Sequence, residues 1–172
     1  MSSMLTPQTG LKIRYYGDPS LRRRSKPVSE VTNAERSILT EMAELMRLSG
    51  GVGLAAPQVG INKQMIMVDV GAGLVTLINP RISKKAGSQV MEEGCLSIPG
   101  VYVKVRRAKK IVVSGYNEQN EKITLNACDL FARALQHEID HLRGKLIIDH
   151  ASLFAKMRLR KKLSRKVLDE LF

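Results

Sequence analysis

His137-Glu138-Ile139-Asp140-His141 is an H-E-x-x-H string inside a segment with helical periodicity. On a helix, residues four apart lie on one face a turn above each other, so two imidazoles at this spacing can grip one metal ion. Glu138 sits one residue round from that face. There a carboxylate reaches a metal-activated water without being forced to ligate the metal, which is the position a general base needs. The string points to a metal, a base and a hydrolytic reaction. With three histidines in 172 residues, chance placement would give it in roughly 3 of 1000 shuffled chains.

Two histidines leave a catalytic metal of this type one protein ligand short. Downstream, the nearest acidic candidate is Asp149. Upstream, Glu93-Gly94-Cys95-Leu96-Ser97 offers the thiolate of Cys95 in a segment whose glycine lets backbone approach a ligand. Cys95 as third ligand gives a Cys-His-His set.

The elements that must position these groups are legible in outline. Thr32-Asn33-Ala34-Glu35 is a capping-box signature, and Ile38, Leu39, Met42, Leu45 and Met46 follow at helical spacing, which predicts a helix over about 33–48. Gly50-Gly51-Val52-Gly53 ends it and opens a small-residue loop. Short β-rich runs follow at Met65–Val70, Leu74–Ile78, Val101–Val105, Ile111–Gly115 and Lys122–Leu125, with connections too short for crossover helices, so the sheet is expected to be antiparallel. Asp129 is expected to cap the helix carrying the H-E-x-x-H string. Leu130, Ala134, Ile139 and Leu142 are expected on its core face, and Gly144 is its stop. A last helix is expected over about 152–171. The fold class is α+β.

A chain of this length, 44% hydrophobic, fits one domain over residues 1–172 with a core that needs no structural metal. Any metal is therefore expected to be catalytic. Two cysteines are too few for a disulfide framework, no N-terminal apolar run resembles a signal peptide, and no stretch is long enough to span a bilayer. A reducing compartment follows: a bacterial cytosol, or an organelle stroma after removal of a transit peptide. The net charge of +12 suggests an anionic partner. Seven of the eleven residues from Lys156 to Lys166 are Lys or Arg.

Gly51-Val52-Gly53-Leu54-Ala55-Ala56-Pro57-Gln58, Glu93-Gly94-Cys95-Leu96-Ser97 and Gln136-His137-Glu138-Ile139-Asp140-His141 resemble, in this order, the three motifs of the peptide deformylases. The likeness extends from Asp18-Pro19-Ser20-Leu21-Arg22 through Leu77-Ile78-Asn79-Pro80 to Ile148-Asp149-His150. It implies antiparallel β-sheets surrounding a central metal-binding helix, with N-terminal and C-terminal helices. It implies removal of the formyl group from the N-terminal formyl-methionine of nascent chains, with release of formate. By the same likeness Cys95, His137 and His141 bind the metal and Glu138 is the catalytic acid/base. Gln58 and the backbone N–H of Leu96 hold the formyl oxygen. Val52 and Gly53 hydrogen-bond an extended substrate, with Gly94 beside them. Similar enzymes use Fe(II) in the cell and accept Zn, Ni or Co. Tyr102 stands where some members carry an arginine that binds the substrate backbone, so that contact is not carried over.

Other residues carry weaker expectations. Arg133, one turn before His137, either borders the methionine pocket or is a solvated or ion-paired helix residue. Asp140 orients a histidine or makes a structural salt bridge, and Gln136 braces the helix against the sheet. His150 is expected to be structural or at the surface, and Cys128 to be a buried small residue. On the last helix, Leu153, Met157, Leu163, Val167, Leu168 and Leu171 share one side and Arg158, Lys161, Lys162, Arg165 and Lys166 the other. The basic side is expected to meet ribosomal RNA, and the chain to be a monomer with no membrane contact. The rivals are a different metallohydrolase on the same metal core, and an RNA-binding protein with a decayed site.

Overall fold

The computed structural model describes residues 10–169. Its centre is an antiparallel five-stranded sheet in the order β1 (Gly53–Ala55), β2 (Met65–Val68), β3 (Val75–Ala86), β6 (Lys110–Tyr116), β7 (Lys122–Cys128). A separate two-stranded antiparallel ribbon pairs β4 (Gln89–Glu93) with β5 (Val103–Arg107). Three α-helices complete the fold: α1 (Asn33–Leu48), α2 (Asp129–Leu142) and α3 (Leu153–Asp169).

β2 explains the layering. Side chains alternate across a strand, so a strand covered on both faces must be apolar throughout. Met65 and Met67 pack with Leu39, Met42 and Met46 of α1. Ile66 and Val68 point the other way and pack with Leu135, Ile139 and Leu142 of α2. A third cluster joins Val103 and Val105 of β5 to Leu146, Ile147 and Ile148, and to Leu163 of α3. The helix bearing the H-E-x-x-H string thus lies between the large sheet and the β4–β5 ribbon, as antiparallel sheets around a central helix require.

The N-terminus of α1 forms as its sequence predicts. Thr32 Oγ1 accepts from the Ala34 N–H at 3.2 Å, and the Thr32 N–H donates to Glu35 Oε2 at 3.0 Å. Glu35 is buried and also takes Lys63 as an ion-pair partner.

Elsewhere the structure departs from expectation for identifiable reasons. The segment after α1, expected as loop, contributes the three-residue edge strand β1. β3 runs on past Ile78 to Ala86. Asn-Pro is a strand-breaking signal, but Asn79 adopts φ 51° and the register shifts between Ile78 and Arg81, so the missing Pro80 N–H falls where the ladder is interrupted. The Asn79 carboxamide pairs with both Val28 N–H (2.9 Å) and Val28 C=O (2.7 Å), and Gly115 opposite lets the bulge close in, since a Cβ there would stand 2.8 Å from Ile78 O. β4 escaped notice because Gln89–Glu93 is mostly polar and exposed.

Asp129 is not the cap of α2. Cys128 holds that position without a side-chain cap bond, and Asp129 is the first helical residue, at φ 50°. Cys128 is exposed rather than buried, because it ends β7 on the outward side of the alternation. Leu130 is half exposed rather than in the core, since the first turn of α2 faces a groove. On α3 the expected apolar side docks at Leu163 but not in the first turns. Leu153 and Met157 are exposed, whereas Leu159 and Leu163 pack on the Leu146–Ile148 cluster, which lies under the middle of the helix and not under its first turn. The side chains of Lys162 and of residues 164–172, and the end of the expected helix at Leu171, lie outside what is described.

Hydrogen bonds from Lys63 and Thr32 hold the Glu35 carboxyl at about 2, below its ordinary 4.5. A depressed carboxylate stabilises the fold above its unfolded value, and that stability is lost as pH falls from 4.5 through about 2. Glu35→Gln is expected to cost about 1–2 kcal/mol at neutral pH, with most of the gap closing on the way down to about pH 2. Urea unfolding of both proteins at the two pH values checks this; an equal penalty at both would contradict it.

Candidate metal centre and active site

α2 presents Ala132, Leu135, Ile139 and Leu142 to the sheet and turns His137 and His141 the other way, one helical turn apart. Cys95 arrives from the end of β4. The donor atoms of Cys95, His137 and His141 all lie within 4.8 Å of one another. Sγ of Cys95 is 3.4 Å from Nε2 of His141, and the two imidazoles meet edge to face with centroids 5.0 Å apart. Asp149, the downstream alternative for a third ligand, is engaged elsewhere, with Arg22 and the Leu146 N–H.

Glu93 was read only as the first letter of a motif, yet it organises the centre. One of its oxygens, Oε2, lies 3.0 Å from His137 Nδ1 and accepts from Arg107 Nη2 at 2.9 Å. The other, Oε1, accepts from Arg107 Nε at 2.7 Å and Arg133 Nη1 at 2.6 Å. Arg107 continues to Asp140 Oδ2 at 2.7 Å, which is also 2.8 Å from His150 Nε2. Burial alone would raise the Glu93 carboxyl, but hydrogen bonds from His137 and Arg107 outweigh it and hold the group well below the usual carboxylate range. Arg133 is therefore ion-paired, and it also lines the groove. Asp140 makes a structural bridge and His150 is tied to it. Gln136 braces α2 as expected, bonding both N–H and C=O of Ala108. Arg107 was missed: it ends an unremarkable Val-Lys-Val-Arg-Arg strand, and only the fold brings it to Glu93.

Gln58 is buried, and the N–H of Ala55 locks its amide oxygen at 2.9 Å. That bond fixes the amide's orientation, so Nε2 faces Cys95 Sγ (3.6 Å) and Ser97 Oγ (3.3 Å). The Leu96 N–H has no hydrogen-bond partner among the described residues, which leaves a second donor uncommitted. Val52, Gly53, Gly94 and Arg133 line a cavity of about 750 Å³ together with Cys95, His137 and Glu138. Gly53 is required there: a Cβ would stand 2.9 Å from Cδ of Glu138. β1, which carries Gly53, is an edge strand with one side unpaired.

Glu138 is buried, its Oε2 has no hydrogen-bond partner, and burial raises its carboxyl to about 7 against the pull of the His137 charge. His141 is pushed well below its ordinary value, by burial first and the His137 charge second, which keeps its ring neutral as a ligand must be. Burial works against a proton on His137, but hydrogen bonds with Cys95 and Glu93 raise it to about 10. Surroundings that hold a positive charge at that point also suit a cation. A soft thiolate, two imidazoles and a carboxylate behind one of them match a divalent transition metal.

The sequence profile of the polypeptide deformylase family matches residues 10–157. A peptide deformylase of Halothermothrix orenii is 51% identical over 141 residues, covering 81% of this chain and 92% of that protein. The chain belongs to the peptide deformylase family. Among solved structures, the crystal structure of a peptide deformylase from Synechococcus elongatus in complex with actinonin has 38% identity and a TM-score of 0.85, covering 94% of this chain and 90% of that one. The peptide deformylase of Thermotoga maritima has 44% identity and a TM-score of 0.81, covering 83% and 97%. Peptide deformylases are metal-dependent hydrolases that remove N-terminal formyl groups from nascent polypeptides, and that is the activity of this chain.

The carboxylate behind His137 fixes its ring and increases its basicity, and such partners are typically worth 10–100-fold in metal affinity. Glu93→Gln is expected to weaken zinc binding about tenfold or more, read by competition with a chromogenic chelator. Unchanged affinity in a folded variant would show that Glu93 serves only the two arginines.

Proposed function

We propose that Cys95, His137 and His141 hold one divalent metal, Fe(II) in the cell with Zn, Ni or Co as substitutes, and that Glu138, Gln58 and Leu96 perform the catalytic steps. When bound, the metal supplies Lewis-acid activation at the reacting centre. The formyl-peptide lies along the open edge of β1, with its backbone held by Val52 and Gly53 and with Gly94 and Arg133 bordering the methionine side. Glu138 accepts the proton of the attacking water. As negative charge gathers on the formyl oxygen, the Nε2 of Gln58 and the N–H of Leu96 donate to it, already aimed and costing no reorganisation. Glu138 then returns its proton to the departing amine, which leaves poorly as an anion. The observation that carries this reading is the pairing of three donor residues within 4.8 Å with a buried, unpartnered Glu138 oxygen beside them.

The test is formate release from a formyl-methionyl peptide by anaerobically purified protein, with metal content measured on the same sample. Anaerobic handling matters because a thiolate-ligated ferrous ion and its sulfur both oxidise. Glu138→Ala is expected to keep one equivalent of metal and lose at least about 100-fold in kcat; near-normal turnover would overturn the role. Glu138 must be ionised to act as a base, and the metal's positive charge draws its pKa down from about 7. The intact enzyme should therefore lose kcat/KM with unit slope as pH falls through an apparent pKa below about 7, and a flat profile down to the pH at which the fold is lost would contradict it.

We further read residues 1–172 as one catalytic domain, acting as a monomer on formyl-methionyl nascent chains in the bacterial cytosol. No helix among the described residues is long and apolar enough to cross a membrane. The ribosome is the partner of α3, through Arg158 and Lys161, which are exposed on it. Leu163 is buried against the domain, so removal of α3 would also open the core. Arg158→Ala/Lys161→Ala is the cleaner test, and it should weaken ribosome cosedimentation at least severalfold at matched salt. Undiminished binding would refute the assignment.

A further inference from the structure

A second cavity, of about 440 Å³, lies on the far side of the Glu93–Arg107 pair from the metal ligands. It is enclosed by the turn between β3 and β4 at Ala86, Gly87 and Ser88, by the end of β5 at Arg106 and Arg107, and by the end of α2 at Asp140 and Arg143. Lys85 and Lys145 complete the ring of cations, and His150 also lines it. Asp140 is the sole acidic residue in the lining, and it is already taken by Arg107 (2.7 Å) and His150 (2.8 Å). Arg107 in turn is neutralised by Glu93. Lys85, Arg106, Arg143 and Lys145 remain, and none of the four has an ion-pair partner among the described residues.

Four uncompensated cations facing one concavity repel one another, and an anionic ligand removes that repulsion. One small oxyanion would not fill a cavity this size or answer four positive groups. A chain of phosphates does both. His150, in the lining, ends the short Ile147–His150 turn that comes just before α3 in the chain. The turn between β3 and β4 adds a hydroxyl at Ser88, held 3.2 Å from Arg106 Nη1.

We propose that this cleft binds the phosphodiester backbone of single-stranded RNA, through Lys85, Arg143 and Lys145. The site is separate from the peptide groove and does not require α3. None of its three lysine or arginine anchors touches the catalytic groups.

The test is fluorescence anisotropy of a labelled single-stranded RNA 12-mer against the intact, metal-loaded chain over a series of salt concentrations. Lys85→Ala/Arg143→Ala/Lys145→Ala is expected to weaken binding at least tenfold at low salt. It should also flatten the slope of log K against log salt by about 2, since each lost phosphate contact on a single strand contributes about 0.7. Its melting temperature and its turnover of a short formyl-peptide should stay unchanged. Lys12→Ala/Lys26→Ala/Lys122→Ala removes the same charge from other exposed positions and should bind nearly as the intact chain does. Equal losses in the two triple variants would mean bulk charge alone and overturn the cleft. If only Arg158→Ala/Lys161→Ala weakens RNA binding, the cleft fails while the α3 reading survives; if only the cleft variant does, the reverse holds. Pyrophosphate titrated by calorimetry distinguishes the source of the phosphate. Binding of pyrophosphate, lost in the cleft variant, without RNA binding would replace RNA by a small phosphate compound and overturn the proposal.

Discussion

A single buried carboxylate sets the positions of most other parts of the site. Glu93 meets two guanidinium groups and one imidazole, and each would be costly to bury alone. Removing one partner from a buried set of this kind typically costs about 3–5 kcal/mol, because the remaining charge stays in a medium that solvates it poorly. The contacts are therefore mutually enforced. Arg133 cannot leave without uncovering Glu93, and Glu93 cannot leave without freeing His137 to rotate. Because Arg107 belongs to β5, Glu93 to β4, and His137 and Arg133 to α2, the same contacts dock the ribbon onto the helix. The ligand geometry and the tertiary docking are one interaction.

The two histidines are supported differently. His137 has a carboxylate behind it, whereas Nδ1 of His141 is buried without a hydrogen-bond partner among the described residues. What fixes His141 is packing and its approach to Cys95. Glu93 brings negative charge behind His137, and Arg107 and Arg133 offset that charge by bonding the same carboxylate. This arrangement leaves the donor set anionic enough to attract a cation without leaving an unpaired carboxylate in the core.

The residues of the candidate centre are legible in the sequence because their spacing is local. His137 and His141 are fixed by one helical turn, Cys95 and Glu138 by motifs of five residues, and α1 by its capping box. The supporting residues were not legible, because nothing local marks them. Arg107 reads as a charged strand end, and its partner Glu93 is 14 residues away with a nine-residue connection between their strands. β1 was lost because three residues of Gly-Leu-Ala carry no period. β3 was cut short because Asn79-Pro80 says turn, and only the carboxamide clamp on Val28 makes that turn compatible with a continuing strand. The docking side of α3 is only partly legible, at Leu163 and not at Leu153 or Met157, for a related reason. A helical wheel gives an apolar side for an isolated helix, while the side that docks depends on where Leu146, Ile147 and Ile148 happen to lie.

The position of Glu138 shows what such a fold tolerates in order to act. An unpartnered buried polar atom costs about 1–3 kcal/mol, and this carboxylate has one such oxygen, Oε2, while its other oxygen, Oε1, faces the bare backbone of Gly53. Any larger residue at 53 would displace the carboxylate. A polar one bonded to Oε1 would favour the charged form, and in doing so would lower the proton affinity that burial confers. Glycine does neither. It keeps the carboxylate buried and unsatisfied, and it leaves the strand edge open to an extended peptide. On the proposed mechanism the same absent side chain would serve both the base and the substrate, and it is what lets the edge strand and the helix approach so closely here.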